Sequence, residues 1–446
     1  MLPLEPTDTD KHTNKPITRR QLLAGLSAAG VLFAAGAGFP GGAQAAVTVP
    51  VGNTNTWWYN VKDFGAQGND RSDQDDSPFI QAAINAAAAS GGTVYFPAGR
   101  YIIKTGLFLR SKVHLLGAGA EASVLKAGLV NIQMVICPAQ GKQASIEGLT
   151  FEGIGNITSS VTSMVERGIH ILEASFIRVS KCLFKGIANG VHLARSEHVT
   201  IEDCSFISLV AGDSAYEGYG VTAEGGANHI IQGNHFKSLP RSCIQLTAGC
   251  SYSLVAGNVM EACLEAAITL SSKLSVCMYN VIEGNAVTAF GLIDKETSSA
   301  YGVRLKDACS YNHIVNNSIT RTTFAGVQLE AADNAGDDRP YGNVMTGNKI
   351  DTSVRGIVVL NGSDNSLKAN EVRRVELGIL IDTIGEGNAS TAKQNVVTGN
   401  SFFQCSTSAV KIGSNRCQSN MVHSNSGFDN TAGLTDNGTE TVTAGF

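Results

Sequence analysis

Between Gly168 and Asn425 the chain alternates apolar and polar residues in a short phrase that recurs: a small residue, then apolar–x–apolar. Gly168-Ile169-His170-Ile171, Gly190-Val191-His192-Leu193, Gly220-Val221-Thr222-Ala223 and Cys243-Ile244-Gln245-Leu246 are the first four, and the series runs on through Ala267, Gly302, Gly326, Gly356, Gly378 and Ala409. A second phrase, apolar–x–x–Asn–x–apolar, follows most of them and places Asn258, Asn285, Asn317, Asn348, Asn370 and Asn400. Apolar positions at period two, punctuated by Gly, point to short strands rather than helices. Self-similarity at a step of a few tens of residues points to a solenoid. The pattern therefore predicts an all-β fold, a single-stranded right-handed parallel β-helix with about three strands per coil and neighbouring coils about 4.8 Å apart.

The recurring Asn predicts an internal ladder at a bend, each side-chain amide bonding the one above and below and satisfying turn backbone groups. Cys182 and Cys204 hold the same place in the first two full coils, and Asn234 takes over in the third. Ahead of the coils, Asp76-Ser77-Pro78 reads as a helix start with a capping residue and Pro in the first turn. Phe79, Ile80, Ala83, Ile84 and Ala87 make its apolar stripe, so this helix is expected to cap the first coil. Ser145 to Phe151 reads as a strand. The expected organisation is an export signal over 1–45, a cap and first coils over 46–120, the β-helix over 121–428, and a C-terminal cover or tail over 429–446.

Composition narrows the class. A formal net charge of −5 and a pI near 6.0 give no basic stripe, which argues against a nucleic-acid partner. Arg19-Arg20 precede an Ala/Gly-rich weakly apolar run, and Ala43-Gln44-Ala45 fits a small–x–small cleavage site. This resembles a bacterial twin-arginine signal, which implies a periplasmic or extracellular protein with no membrane span after cleavage. Cys182 and Cys204 stand within bridging reach on adjacent coils, but a stacked pair of buried thiols is the expected state. No Cys-x-x-Cys or His-x-x-x-His spacing points to zinc.

Tyr59-Asn60-Val61-Lys62-Asp63-Phe64-Gly65, the helix from Phe79 to Ile84, Gly91 to Tyr101 and Val113 to Gly119 together resemble the N-terminal module of the pectate-lyase-like β-helix superfamily. That superfamily includes mannuronan epimerases, polygalacturonases and tailspike depolymerases. The resemblance covers about sixty residues in the motif block, and the coils extend it over most of the chain. It implies an acidic polysaccharide as partner and leaves the chemistry open, because the fold hosts several reactions. In the epimerase-like relatives a Tyr-Gly-apolar-Asp-Pro-His strand carries catalysis; here Tyr219 to Glu224 matches, keeping the Tyr alone. Gly302-Val303-Arg304-Leu305-Lys306 is similar to the triplet with which polygalacturonases hold a substrate carboxylate, although their hydrolytic motifs are missing.

Alternation decides which side chains leave the barrel. The middle residue of each triplet and the residue two places later point outward, giving His170, His192, Thr222/Glu224, Gln245, Arg304/Lys306 and Gln328/Glu330, with Val358, Leu360 and Leu380 breaking the polar run. Glu224, His192, Tyr219 and Lys306 are the expected catalytic groups, and His170, Gln245, Arg304, Gln328 and Glu330 the expected substrate-binding ones. Asp213 and Glu217 lie on the insertion beside the first cluster, and Gly225-Gly226 is expected to clear space around Glu224. β-Elimination from a polyuronate needs a base at C5 and positive charge beside the carboxylate. Hydrolysis needs two carboxyl groups at close range. Glycan binding without turnover is the third reading. The acids from Asp333 to Asp338 leave calcium open without a ligand motif that demands it, and homo-oligomerisation is likewise left open.

Overall fold

The computed structural model describes residues 57–155, 166–211, 217–288, 300–332, 339–385 and 390–445. The chain divides into two compact units, Met1–Thr48 and Val49–Phe446. The first lies outside the described residues, and with it the expected export signal; every described strand and helix belongs to the second.

Three long sheets, of fifteen, thirteen and thirteen strands among the described residues, run through this unit, and every pairing is parallel. Each regular coil gives one strand to each sheet in turn, as in the coil Asn189–Ala194, Thr200–Glu202 and Ser205–Ile207. This is the right-handed parallel β-helix that the alternating phrases predict.

The small residue opening each phrase has a steric reason. Phe151, Phe184, Phe206 and Phe236 stack inside the helix with centroids 4.9, 4.6 and 4.7 Å apart. A Cβ on Gly190 would run into the Phe206 ring and the Gly220 carbonyl, and one on Gly220 into Phe236 and the Cys243 carbonyl. Where Met260 replaces the ring, Cys243 replaces the glycine, and its sulfur is bridged to Cys263 across the corner that closes one coil. That bridge has no counterpart among the expectations from the sequence. Cys182 and Cys204 are free and buried, as expected.

Two asparagine ladders are present, not one. The foreseen ladder runs from Asn234 through Asn258, Asn285, Asn317, Asn348, Asn370 and Asn400 to Asn425, each Nδ2 donating to the next Oδ1 at 2.9–3.0 Å. A second joins Asn280, Asn312, Asn343, Asn365, Asn395 and Asn420 in the same manner. Each of its members stands five residues ahead of a member of the first, so the two ladders flank the three-residue strands of one sheet at both bends.

Two local expectations are corrected. The helix spans Ser77–Ala88 and buries Ile80, Ala83, Ile84 and Ala87, yet Asp76 does not cap it. The fully buried Asp76 carboxylate accepts instead from the Gln67 and Ile102 backbone N–H groups, tying the preceding loop to the strand Gly99–Ile103. Ser145 to Phe151 is not one strand but the end of Lys142–Glu147 and the start of Thr150–Glu152, turned at Gly148, whose φ of +65° a side chain rarely adopts. Past Phe428, Leu434–Asp436 and Val442–Ala444 add strands to two of the sheets.

Candidate functional site

The site lies on the outer face of the sheet built from Arg167–Leu172, Asn189–Ala194, Tyr219–Glu224, Ile244–Thr247, Ala266–Met278, Tyr301–Ser310 and Ala325–Glu330. Register aligns His170, His192, Thr222, Gln245, Thr269, Arg304 and Gln328 in one column. Ala194, Glu224, Thr247, Ser271, Lys306 and Glu330 form the next. Glu224, Arg304 and Glu330 therefore emerge on one face. A third outward column precedes the small residue and holds Arg167, Asn189 and Tyr219.

The three columns converge on a cavity of about 270 Å³ lined by Arg167, Asn189, His192, Tyr219, Thr222, Glu224, Gln245 and Thr247. His192 is buried and its Nε2 lies 3.3 Å from Glu224 Oε2. The facing carboxylate fixes the tautomer, Nε2–H donating to Glu224, because Nδ1 is buried with no partner among the described residues. Burial holds His192 below the usual imidazole range despite Glu224. The hydrogen bond from His192 in turn holds Glu224 below the usual carboxylate range. Tyr219 is pushed up, by burial and then by the Glu265 carboxylate, so its phenol stays protonated at neutral pH. Arg167 is drawn down to about 10 by burial and remains a cation. The cavity thus presents a guanidinium, a neutral phenol and an imidazole–carboxylate pair.

A second cavity, of about 400 Å³, adjoins it through the shared Gln245 and Thr247 and is lined further by Glu265, Thr269, Ser271, Lys273, Ser275, Lys306 and Asp307. Lys306 enters this one. Beyond it the groups close on themselves: Arg304 Nε donates to Glu330 Oε1 at 2.9 Å, its guanidinium lies 4.4 Å above the Tyr301 ring, and Gln328 Nε2 donates to the other Glu330 oxygen. Val358, Leu377 and Leu380 then bury with Tyr301, Ala325 and Ala266 in a separate apolar cluster.

Of the sequence candidates, His192, Tyr219, Glu224 and Gln245 meet in the first cavity and Lys306 stands in the second. Arg304, Gln328 and Glu330 form the closed cluster instead. His170 stacks on His192 at 5.1 Å, with Nδ1 2.9 Å from Gln133 Oε1, and is not among the lining residues. Gly226 owes its identity to the Ser196 carbonyl, which a Cβ there would strike, rather than to clearance for Glu224. Asp213 and the acids from Asp333 to Asp338 lie outside the described residues, and no cluster of three metal-ligating side chains occurs among the described ones. Arg167 escaped sequence reasoning because strict alternation breaks at the inward glycine after it. The signal was the residue immediately before each small residue.

A family model described as rhamnogalacturonase A/epimerase, pectate lyase-like, matches residues 58–293. Alginate lyase 7 of Azotobacter vinelandii is 47% identical over 76 residues, 15% of this chain and 9% of that protein, so the chain spans under a tenth of its length. Plasmin and fibronectin-binding protein A of Streptococcus pneumoniae is 26% identical over 316 residues, 67% of this chain and 40% of that one. Among solved structures, the A-module of the mannuronan C-5 epimerase AlgE6 of Azotobacter vinelandii superposes with a TM-score of 0.60 at 20% identity, covering 86% of this chain and 99% of that one. At that identity the likeness speaks for the fold.

Proposed function

Since this chain belongs to the rhamnogalacturonase A/epimerase, pectate lyase-like family, we propose that it acts on an acidic polysaccharide, cleaving it by β-elimination in the cavity around Tyr219. One observation carries the reading: a guanidinium, a protonated phenol and a hydrogen-bonded carboxylate face the same polar cavity on the outside of the sheet. Arg167 pairs with the uronate carboxylate and holds the charge that develops there as the C5 proton leaves. Glu224, aimed by the His192 N–H, accepts that proton; a uronate bound beside it raises its proton affinity. Tyr219 donates to the departing glycosidic oxygen as the C4–O bond breaks and the C4–C5 double bond forms. Glu224 then returns its proton to the phenolate through solvent. The name of the alginate lyase relative supports this chemistry. Export by the twin-arginine route, which the N-terminal residues suggest, would bring the protein to such polymers.

The second reading is binding without turnover, favoured by the length of chain shared with the pneumococcal plasmin and fibronectin-binding protein. Incubation with a panel of polyuronates separates the cases. Ultraviolet absorbance of unsaturated ends together with new reducing ends is the expected result. Reducing ends alone would mean hydrolysis, inverted C5 centres by NMR without either signal would mean epimerisation, and retention without any change would mean binding alone.

A further inference from the structure

At the bend that follows the site sheet, register stacks one set of left-handed residues in a column: Phe176, His198, Asn228, Tyr252, Tyr279 and Tyr311, then Gly342 and Asp364. Backbone bonds fix the alignment, as from Tyr252 N–H to the Met278 carbonyl and from Tyr311 N–H to the Tyr341 carbonyl. Asn, Gly and Asp are the ordinary occupants of such a position. Tyrosine is not, and here three consecutive coils carry it. The rings stack at 5.2 and 5.5 Å, and Tyr341 closes the row edge-on at 5.4 Å from Tyr311. Each of the four is between 42% and 58% exposed.

The three coils concerned are those that wall the second cavity. Thr247 and Ala248 lead into Tyr252; Ser271, Ser272 and Ser275 lead into Tyr279; Lys306 and Asp307 lead into Tyr311. Ala248 and Ser275, both on the cavity wall, stand four residues ahead of Tyr252 and Tyr279. Two of these coils also have the longest strands of the sheet, Ala266–Met278 and Tyr301–Ser310, which carry it through a bulge between Ser272 and Cys277 from the cavity toward the tyrosine row. Stacking consumes the ring faces, so the exposed part of these side chains is edge and phenol hydroxyl, with the Tyr311 hydroxyl also bonding Tyr341 at the end of the row. A row of hydroxyl donors, one per coil, repeats at about the advance of one sugar in an extended chain.

We propose that Tyr252, Tyr279 and Tyr311 form a docking rail for the stretch of acidic polysaccharide that extends beyond the second cavity, their hydroxyls donating to its carboxylates and ring hydroxyls. The proposal rests on the reading of the cavities as an acidic-polysaccharide site and adds a surface outside both. The rail binds polymer and leaves oligomers short enough to fill the cavities alone unaffected.

The test replaces all three, Tyr252→Asn, Tyr279→Asn and Tyr311→Asn, since Asn228 shows that the column accepts Asn. A companion with Phe at the three positions keeps the stack and removes the hydroxyls. Affinity electrophoresis through long-chain polyuronate should show the Asn variant retarded about tenfold less strongly than the parent, the loss of a few modest hydrogen bonds. The Phe variant should fall most of the way to it, and thermal melts of the Phe variant should match the parent. Turnover of short oligomers should be unchanged in both. Full retention of polymer by the Phe and Asn variants overturns the rail and leaves the cavity reading standing, as does loss in the Asn variant alone. A parent that is retarded through these tyrosines but turns nothing over upholds the rail and removes the catalytic reading. A parent that no polyuronate retards overturns the rail.

Discussion

The outer face of the site sheet carries titratable groups in two places, and they behave differently. Over coils 167–247, Arg167, Tyr219, His192 and Glu224 line an open cavity. Over coils 301–382, Arg304 and Gln328 both donate to Glu330, and Val358 and Leu380 bury beside them. Both stretches have the same strand geometry and the same columns. What differs is the neighbour one coil away. Glu224 has Ala194 before it and Thr247 after it, so nothing in its own column neutralises it. Glu330 has Lys306 before it and the Arg304 guanidinium within hydrogen-bond reach. In a parallel β-helix, whether a charge is left for a ligand is decided by the coils on either side.

That contrast breaks most visibly in turnover. Tyr219→Phe removes the proposed acid and should lower the rate of polyuronate cleavage by about 10²–10⁴-fold, with far-ultraviolet circular dichroism and melting unchanged. Glu330→Gln, in the closed coils, should leave the rate alone. Equal losses in the two variants would erase the distinction.

Glu166 sharpens it next, through stability. It lies beside Arg167 and is buried, accepting from the Ala188 N–H at 3.0 Å. Burial, with the buried Glu217 adding repulsion, pushes its carboxyl up to about 7 from an ordinary value of 4.5. A raised folded-state value means that its stabilising contribution is complete below pH 4.5 and is lost as pH climbs through 7. The loss amounts to about 3 kcal/mol at most. Denaturant titrations of the parent across this window should show the midpoint falling with pH. Glu166→Gln should flatten that slope, and an unchanged slope would place the titration elsewhere.

In the closed coils the corresponding test is Arg304→Met. It strands Glu330, whose side chain is 14% exposed, beside a buried Gln328. The variant should lose about 1–3 kcal/mol by denaturant unfolding without a change in turnover. Arg304→Met combined with Glu330→Met should recover much of the loss, because removing both partners leaves no unpaired charge.

The coils were legible in the sequence because each repeats the same steric problem. A small residue must sit under the Phe184, Phe206 and Phe236 rings, and an Asn must sit at the bend. The second ladder was legible too, at a fixed offset of five from the first, but its Asn residues sit outside the apolar–x–x–Asn phrase. Arg167 and the closing of Arg304 on Glu330 were harder. The first needs the break in alternation at an inward glycine, and the second needs the reach and rotamer of side chains on different coils. Register says which residues are neighbours; it does not say which of them pair.

Lys306 and Arg304 alternate on one strand and read alike in the sequence, so separating them is the finest version of the comparison. Lys306 lines the second cavity and has no carboxylate partner in ion-pair range among the described residues, whereas Arg304 is held by Glu330. Lys306→Ala should therefore leave the melting temperature nearly unchanged, because a partly exposed lysine without an ion pair contributes little to folding. Its effect should appear in binding. KM for a polyuronate should rise a few-fold with kcat nearly constant, the signature of an interaction made equally in the ground and transition states. The rise should shrink as salt is added, since ions screen an attraction at an open site. Arg304→Met carries the opposite signature, a stability loss with KM unmoved. If Lys306→Ala instead lowers kcat and leaves KM alone, the lysine acts in the reacting centre, and the boundary drawn between the two cavities is in the wrong place.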